Sequence, residues 1–289
     1  MSEPVLRVLP AKPKMGPLYF RAAIGARGPH ATQSPSETYE LNGQVIDPER
    51  LAAYQQVCGF GGRDVLPATY LHTLAFPLQM SLMVQPTFPF PVLGAVHVNN
   101  TITQLRPVDL GETVDLRVHA DNLRSHPAGR QIDVFSEAFV AGRLVWTDVS
   151  TYLQRTSGSG SASASKSRTP AEVPSAVAAI VRVPGDIGRR YAAVSGDANP
   201  IHLSALSAKA FGFTRAIAHG MWLKARTLAS LEGRLPDAFT VDVAFKTPVF
   251  IPAPVAIRSR PQESGWSLDV RNPRSGKPHL TGSVAAVDA

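Results

Sequence analysis

The sequence predicts an α+β fold made of two tandem copies of one unit, in which helices are followed by several antiparallel strands. Three observations carry this. First, stretches recur. With Tyr54 set on Tyr191, an offset of 137 (191 − 54), Val57 falls on Val194, Cys58 on Ser195 and Gly59 on Gly196. At an offset of 141 (247 − 106), Arg106-Pro107-Val108 meets Thr247-Pro248-Val249, and Leu110 and Val114 fall on Ile251 and Val255. Self-similarity at a fixed spacing signals an internal repeat. Second, residues 157–176 hold almost nothing but small and polar side chains as far as Pro170, the composition of a flexible linker. Third, Phe239, Val241, Val243 and Phe245 alternate with Thr240, Asp242, Ala244 and Lys246, the period-two pattern of a half-buried strand. The units are therefore 1–156 and 177–289, with 157–176 between them.

Taken in order, residues 1 to about 40 are rich in Pro, Gly and Ala without clean periodicity, and read as a partly ordered arm. A helix follows, with Asp47 as N-cap, Pro48 at the first position and Glu49 at the positive end; it stops at Gly59. Prolines at 67, 77, 86, 89 and 91 predict that the first unit lacks an uninterrupted central helix, since an interior proline costs about 3 kcal/mol. Strands are expected at 96–105, 113–121, 131–140 and 143–153. In the second unit a short helix covers 187–194. Gly220 to about Gly233 reads as a buried helix, apolar on nearly every face. Strands at 239–245, 254–260, 265–272 and 278–287 complete it.

Composition narrows the functional classes. No run of about 18 apolar residues is present, so no spanning helix is expected. The N-terminus lacks the apolar core of a secretory signal. One cysteine, Cys58, allows neither an internal disulfide nor a cysteine-built metal cluster. A cytoplasmic protein is the expectation. The formal charge of +7 suits an anionic partner, but Lys and Arg are scattered with no dense basic block, which argues against nucleic acid.

The chemistry is concentrated in Tyr191–His202, Y-A-A-V-S-G-D-A-N-P-I-H. A helix ends at Ser195-Gly196; then Asp197, Asn199 and His202 fall within six residues, with Pro200 stiffening the loop. A carboxylate, an amide and an imidazole on one short loop suit proton transfer. The composition alone also suits a turn, with Asp197 as a cap. In the repeat alignment Phe60, Gly62 and Val65 stand opposite Asp197, Asn199 and His202, so the first copy lacks the polar set.

Y-x-x-x-S-G-D-x-N-P-I-H resembles the signature of the R-specific enoyl-thioester hydratases, the MaoC-like dehydratases. Ile217–Met221, I-A-H-G-M, resembles their next motif, seventeen residues on by histidine (219 − 202). The likeness is close over 185–258. It implies a double hot-dog, a sheet wrapped around a central helix in each unit, closest to the mycobacterial-type (3R)-hydroxyacyl-thioester dehydratases. It further implies Asp197 and His202 as the catalytic pair. Beside them, Asn199 reads as positioning the pair or the thioester, Gly220 as opening a helix whose first N–H groups suit an oxyanion, and His219 as mainly structural with substrate contact the lesser role. Phe76, Met80, Leu82 and Met83 of the first unit are expected to line an acyl tunnel. No cofactor and no metal are expected. The expected partner is an acyl thioester, of coenzyme A or of acyl-carrier protein, with a homodimer of double hot-dogs possible and neither nucleic acid nor membrane involved. A non-catalytic acyl-thioester-binding protein and a hot-dog thioesterase are the competing classes.

Overall fold

The computed structural model describes residues 5–25, 30–155 and 179–287; the linker at 157–176 lies outside them. Strand β1 (Val5–Val8), helix α1 (Met15–Gly25) and strand β2 (Glu37–Val45) order much of the N-terminal arm. Helices α2 (Pro48–Cys58) and α3 (Ala68–Met83) follow, then strands β3 (Val96–Gln104), β4 (Thr113–His126), β5 (Gly129–Val140) and β6 (Arg143–Arg155). The second half begins with β7 (Ala179–Val183) and α4 (Ile187–Ser195). Next come the short helices α5 (Pro200–Leu203) and α6 (Ala205–Lys209), and then α7 (Gly220–Ala229). It closes with β8 (Phe239–Phe245), β9 (Ala253–Gln262), β10 (Gly265–Arg271) and β11 (Pro278–Ala286).

All the strands join one sheet in the order β1-β2-β4-β5-β6-β3-β8-β11-β10-β9-β7. Without β1, the first half reads β2-β4-β5-β6-β3, and the second repeats that order as its mirror image, β8-β11-β10-β9-β7. The halves meet where β3 pairs antiparallel with β8. There Thr101 faces Asp242, and the two differ by the repeat offset of 141 (242 − 101). A pseudo-twofold axis therefore passes through this pair, and Thr101 Oγ1 donates to the Asp242 carboxylate. Helices α2 and α4 obey the same relation: the rings of Tyr54 and Tyr191 lie 6.2 Å apart. Across that contact Arg50 Nε donates to Val194 O and Trp222 Nε1 to Val57 O, each at 3.0 Å.

The expected cap geometry is present in α2. Asp47 Oδ1 accepts from the N–H groups of Glu49 and Arg50, Pro48 opens the helix, and Gly59 closes it at φ +79°. The expectation of a broken central helix in the first unit is wrong. Helix α3 runs unbroken for 16 residues, all buried, with Pro77 inside it, whereas α7 has 10. Magnitudes explain the outcome. One interior proline costs about 3 kcal/mol. Burial of Leu71, Leu74, Phe76, Leu78, Met80, Leu82 and Met83, at about 1.5 kcal/mol or more each, outweighs it severalfold. The other prolines do not interrupt the helix: Pro67 precedes it, and Pro86, Pro89 and Pro91 follow it.

The alignment of the polar set also needs correction. Leu66 N–H donates to Val108 O at 2.9 Å, and Ala218 N–H donates to Val249 O at 2.9 Å. Leu110 N–H donates to Asp64 O, and Ile251 N–H donates to Ala216 O. These matched bonds set 66 on 218, an offset of 152 (218 − 66), and α3 and α7 start at the same offset (220 − 68). Past Gly59 the offset has grown by 15 residues (152 − 137). Val65 thus stands opposite Ile217, not His202, and 15 extra residues enter the second half between Gly196 and Ala216. The first half has no counterpart of that loop, because the second carries an insertion that folds as α5 and α6.

Under the β3–β8 seam lies a buried polar cluster. Asp148 on β6 meets His72 Nδ1 at 2.7 Å and accepts from the Asn100 amide at 3.0 Å and from Ser150 Oγ at 2.8 Å. Lys224, fully buried on α7, donates to Asn100 O at 3.0 Å, to Asn100 Oδ1, and to Val241 O at 3.1 Å. Burial pulls Lys224 down to about 7, against the opposing pull of Asp148 and Asp242. His72 and Lys224 are equivalent positions of α3 and α7 (224 − 72 = 152), so both central helices are pinned to one cluster. Asp148→Ala strands the His72 ring and leaves the Asn100 amide with Ser150 Oγ alone. Unfolding by urea at neutral pH should show a loss of about 3 kcal/mol or more; a loss below about 1 kcal/mol would mean the cluster is held mainly by apolar packing.

Candidate active site

The loop carrying the polar set is built by a chain of local hydrogen bonds. Helix α4 ends at Ser195, and Gly196 takes φ +84°, a conformation that glycine adopts without strain. Ser195 Oγ donates to Tyr191 O at 2.8 Å and accepts from Asp197 N–H at 3.1 Å. Asp197 Oδ1 accepts from Asn199 N–H at 3.2 Å, and Asn199 Oδ1 caps α5 by accepting from Ile201 N–H at 3.4 Å. Pro200 then starts the short helix that carries His202.

Two imidazoles close on Asp197. His202 Nδ1 lies 2.8 Å from Ile217 O. A carbonyl only accepts, so Nδ1 carries the proton and Nε2 keeps its lone pair. His219, the N-cap residue of α7, places Nε2 2.9 Å from the Asp197 carbonyl oxygen and 3.7 Å from Oδ2. The two rings stack with centroids 3.6 Å apart. One donor-type atom from each of Asp197, His202 and His219 lies within 4.8 Å of the others, a spacing that one water can bridge. One N–H of each ring is committed to a backbone carbonyl, so each imidazole keeps one nitrogen lone pair, able to take a proton or a ligand.

The electrostatics give each group a distinct state near neutral pH. Burial alone would raise the Asp197 carboxyl. His219, His202, the Asn199 N–H and the Tyr19 hydroxyl outweigh burial and hold it below the usual carboxylate range. Burial lowers His202, against Asp197 and the Ile217 carbonyl, so its ring is neutral. Burial and the neighbouring His202 push His219 down to about 3, although Asp197 opposes this. An ionised carboxylate thus lies beside a neutral imidazole with a free Nε2.

These groups line a cavity of about 440 Å³ walled by both halves of the chain. Asn199, His219 and Gly220 line it. A Cβ on Gly220 would stand 3.0 Å from the Phe245 ring, so this position needs glycine for close packing. Its N–H belongs to the first turn of α7, where no intrahelical acceptor exists. Phe76, Met80 and Met83 line the cavity from α3; Leu82 does not, and its expected place in the tunnel is wrong. The helical period explains this. Positions 76, 80 and 83 share one face, while Leu82 shares the opposite face with Leu78 and is fully buried in the main core.

Several residues escaped the sequence reading. Tyr19 of α1 donates to Asp197 Oδ1 at 3.0 Å, and its segment shows no periodicity that would flag it. His72, His97 and Tyr152 supply polar lining from the first half, with His97 stacked on Tyr152 at 4.8 Å. Gly188 lies beneath the loop. A Cβ there would fall 1.8 Å from the His202 carbonyl oxygen, a backbone atom that cannot step aside without moving the loop. Its only signal is a glycine inside a helical stretch. Gly188→Ala should therefore lower kcat by about a hundredfold with the chain still folded, as a displacement of order 1 Å does; steady-state kinetics beside a thermal melt checks it.

Comparison with known proteins agrees with this geometry. A MaoC-like domain matches residues 165–276. The 3-hydroxyacyl-thioester dehydratase X of Mycobacterium tuberculosis is 41% identical over 269 residues, covering 92% of this chain and 95% of that protein. A crystal structure of that enzyme, HtdX, superposes with a TM-score of 0.76 at 38% identity, over 86% of this chain and 100% of that one. A conserved hypothetical M. tuberculosis protein with a double hot-dog fold shares the fold, at 13% identity and a TM-score of 0.52, over 91% of this chain and 99% of that one. With the Asp197–His202 loop grafted on one half of a duplicated sheet, and with this identity over nearly the whole length, the chain belongs to the MaoC-like dehydratase family in its double hot-dog form.

Proposed function

We propose that the chain interconverts 2-trans-enoyl thioesters and (3R)-3-hydroxyacyl thioesters by reversible addition of water. The observation that carries this is an ionised Asp197 and a neutral His202, with Nε2 free, converging at one end of a largely apolar cavity. In hydration, one water sits between them. Its oxygen adds to C3 while His202 Nε2 and Asp197 draw off its proton, and a proton is delivered to C2, so that H and OH cross the double bond. The order in which the two groups act is open. Negative charge gathers meanwhile on the thioester oxygen, and the Gly220 N–H at the start of α7 is the donor placed to meet it. Asn199 holds the loop through its cap on α5.

The substrate class follows from the cavity walls. Phe76, Met80 and Met83 suit an acyl chain, and the exposed Arg155 and Lys246 at its rim suit the phosphates of coenzyme A or the acidic surface of a carrier protein. The first half thus supplies the acyl wall and the second the chemistry. A hot-dog sheet alone does not decide between hydration and thioester hydrolysis, because the fold serves both. The placement of Asp197 and His202 favours hydration.

Asp197→Asn and His202→Ala should each lower kcat for crotonyl-CoA hydration by at least about a hundredfold. A folded variant that turns over normally would remove that residue from the mechanism. Met80→Trp fills the acyl wall: KM should rise for long enoyl-CoA substrates while crotonyl-CoA hydration stays nearly unchanged. Equal losses on long and short substrates would make Met80 ordinary core.

A further inference from the structure

We infer that Tyr19 is a positioning residue for Asp197, brought to the active site by the N-terminal helix α1. The inference rests on the reading above, in which Asp197 holds the attacking water. Tyr19 Oη donates to Asp197 Oδ1 at 3.0 Å, and the Asn199 N–H donates to the same oxygen at 3.2 Å. With Oδ1 taken twice, Oδ2 is left on the side of His219, 3.7 Å from its Nε2. The carboxylate is thereby fixed in one rotamer, with one oxygen spent on structure and the other free for water. The Asn199 bond alone ties the carboxylate only to its own loop, two positions away. Tyr19 ties it to a different part of the chain.

The helix that carries Tyr19 is seated by the side chains that line the acyl cavity. Leu18 packs with Phe76 and Met80 of α3, and Met15, Tyr19 and Val92 lie against that group. Met15 also touches the catalytic loop, 3.5 Å from where a Cβ on Gly196 would stand. Helix α1 thus meets the loop at two points, Met15 on Gly196 and Tyr19 on Asp197, while resting on the acyl wall. The acyl pocket and the carboxylate share this one support.

The groups facing Asp197 are His202 from α5, His219 from the start of α7, Tyr191 from α4, Tyr152 from β6, His97 from β3 and Tyr19 from α1. Among the described residues, Tyr19 makes the side-chain hydrogen bond to the carboxylate. Burial and the adjacent Asp197 charge raise the Tyr19 hydroxyl well above its ordinary range. It therefore donates without giving up its proton, and acts through Asp197.

The test is Tyr19→Phe in the full chain, which keeps the ring and its packing. Crotonyl-CoA hydration is followed across pH, with a thermal melt to show that α1 stays seated. The expected result is a kcat about tenfold lower and KM within about twofold of the parent, with the acidic limb of kcat/KM moved to higher pH. The sign follows from the donor: a hydrogen bond to the ionised carboxylate favours that form, so losing it lets the carboxyl protonate at higher pH. An acidic limb in the parent's position overturns the inference whatever happens to kcat, since lost packing alone does not move it. Asp197→Asn is run alongside. If that variant stays active, the assignment of Asp197 fails, and this is distinguishable from a failure of Tyr19 alone.

Discussion

The pairing of β3 with β8 is the contact on which everything else in the molecule depends. It turns two half-sheets into one, and it does so about the Thr101–Asp242 pair, where equivalent positions meet. Backbone ladders are weakly selective for register, and a slip of one residue would turn every side chain on both strands to the wrong face. The register here is held from both sides. On the exposed side, Thr101 and Asn99 donate to Asp242. On the buried side, Asn100 accepts from Lys224 of α7 and donates to Asp148, which in turn holds His72 of α3. Both central helices are thus clamped to the strand that joins the halves, and the cavity between them has a fixed width.

That clamp is expensive. A lysine and an aspartate are taken fully out of water, and the ammonium is left with a much weakened hold on its proton. Apolar replacements of similar volume often match or exceed the stability of such clusters. Its value is specificity: a duplicated chain has two similar helices and two similar sheets, and apolar packing alone discriminates poorly between correct and exchanged pairings. The equivalent positions 72 and 224 carry different residues, histidine and lysine, so the two helices are not interchangeable at the cluster.

Much of this was legible in the sequence, and the failures have physical causes. Strand positions were readable because one face of the sheet is buried and period-two alternation follows; the ends of β3 to β6 and of β8 to β11 fall within about five residues of expectation, whereas β7, a short edge strand with no clear alternation, was not expected. The pair Asp197 and His202 was readable because both lie on one short loop, where sequence proximity becomes spatial proximity. Helix α3 was misjudged because proline's cost is local and visible, whereas the burial that outweighs it is tertiary and invisible. The opposition of Val65 to His202 failed because a 15-residue insertion after Gly196 is silent in an alignment carried forward from Gly59. Tyr19 could not be found at all: its contact with Asp197 spans 178 residues, and nothing in the chain near Met15–Gly25 marks it.

The insertion also explains why only one half carries the Asp197–His202 loop. In a symmetric duplication the first half would present a loop beyond Gly59 as the second does beyond Gly196. The short segment there instead lies at the surface against side chains of the second half. Gly61 N–H donates to the Glu232 carboxylate at 2.7 Å, Arg63 lies 3.6 Å from the same group, and the Arg226 guanidinium stands 3.0 Å from where a Cβ on Gly59 would be. At the equivalent Gly196 the neighbour is Met15 of α1. The two ends of the pseudo-twofold thus differ: one meets charged side chains of the partner half at the surface, the other is covered by an added helix that carries a tyrosine to the carboxylate. The cavity is walled by both halves, yet the Asp197–His202 loop enters it from one side only, and the long, fully buried α3 turns its Phe76, Met80 and Met83 face to the same cavity from the other.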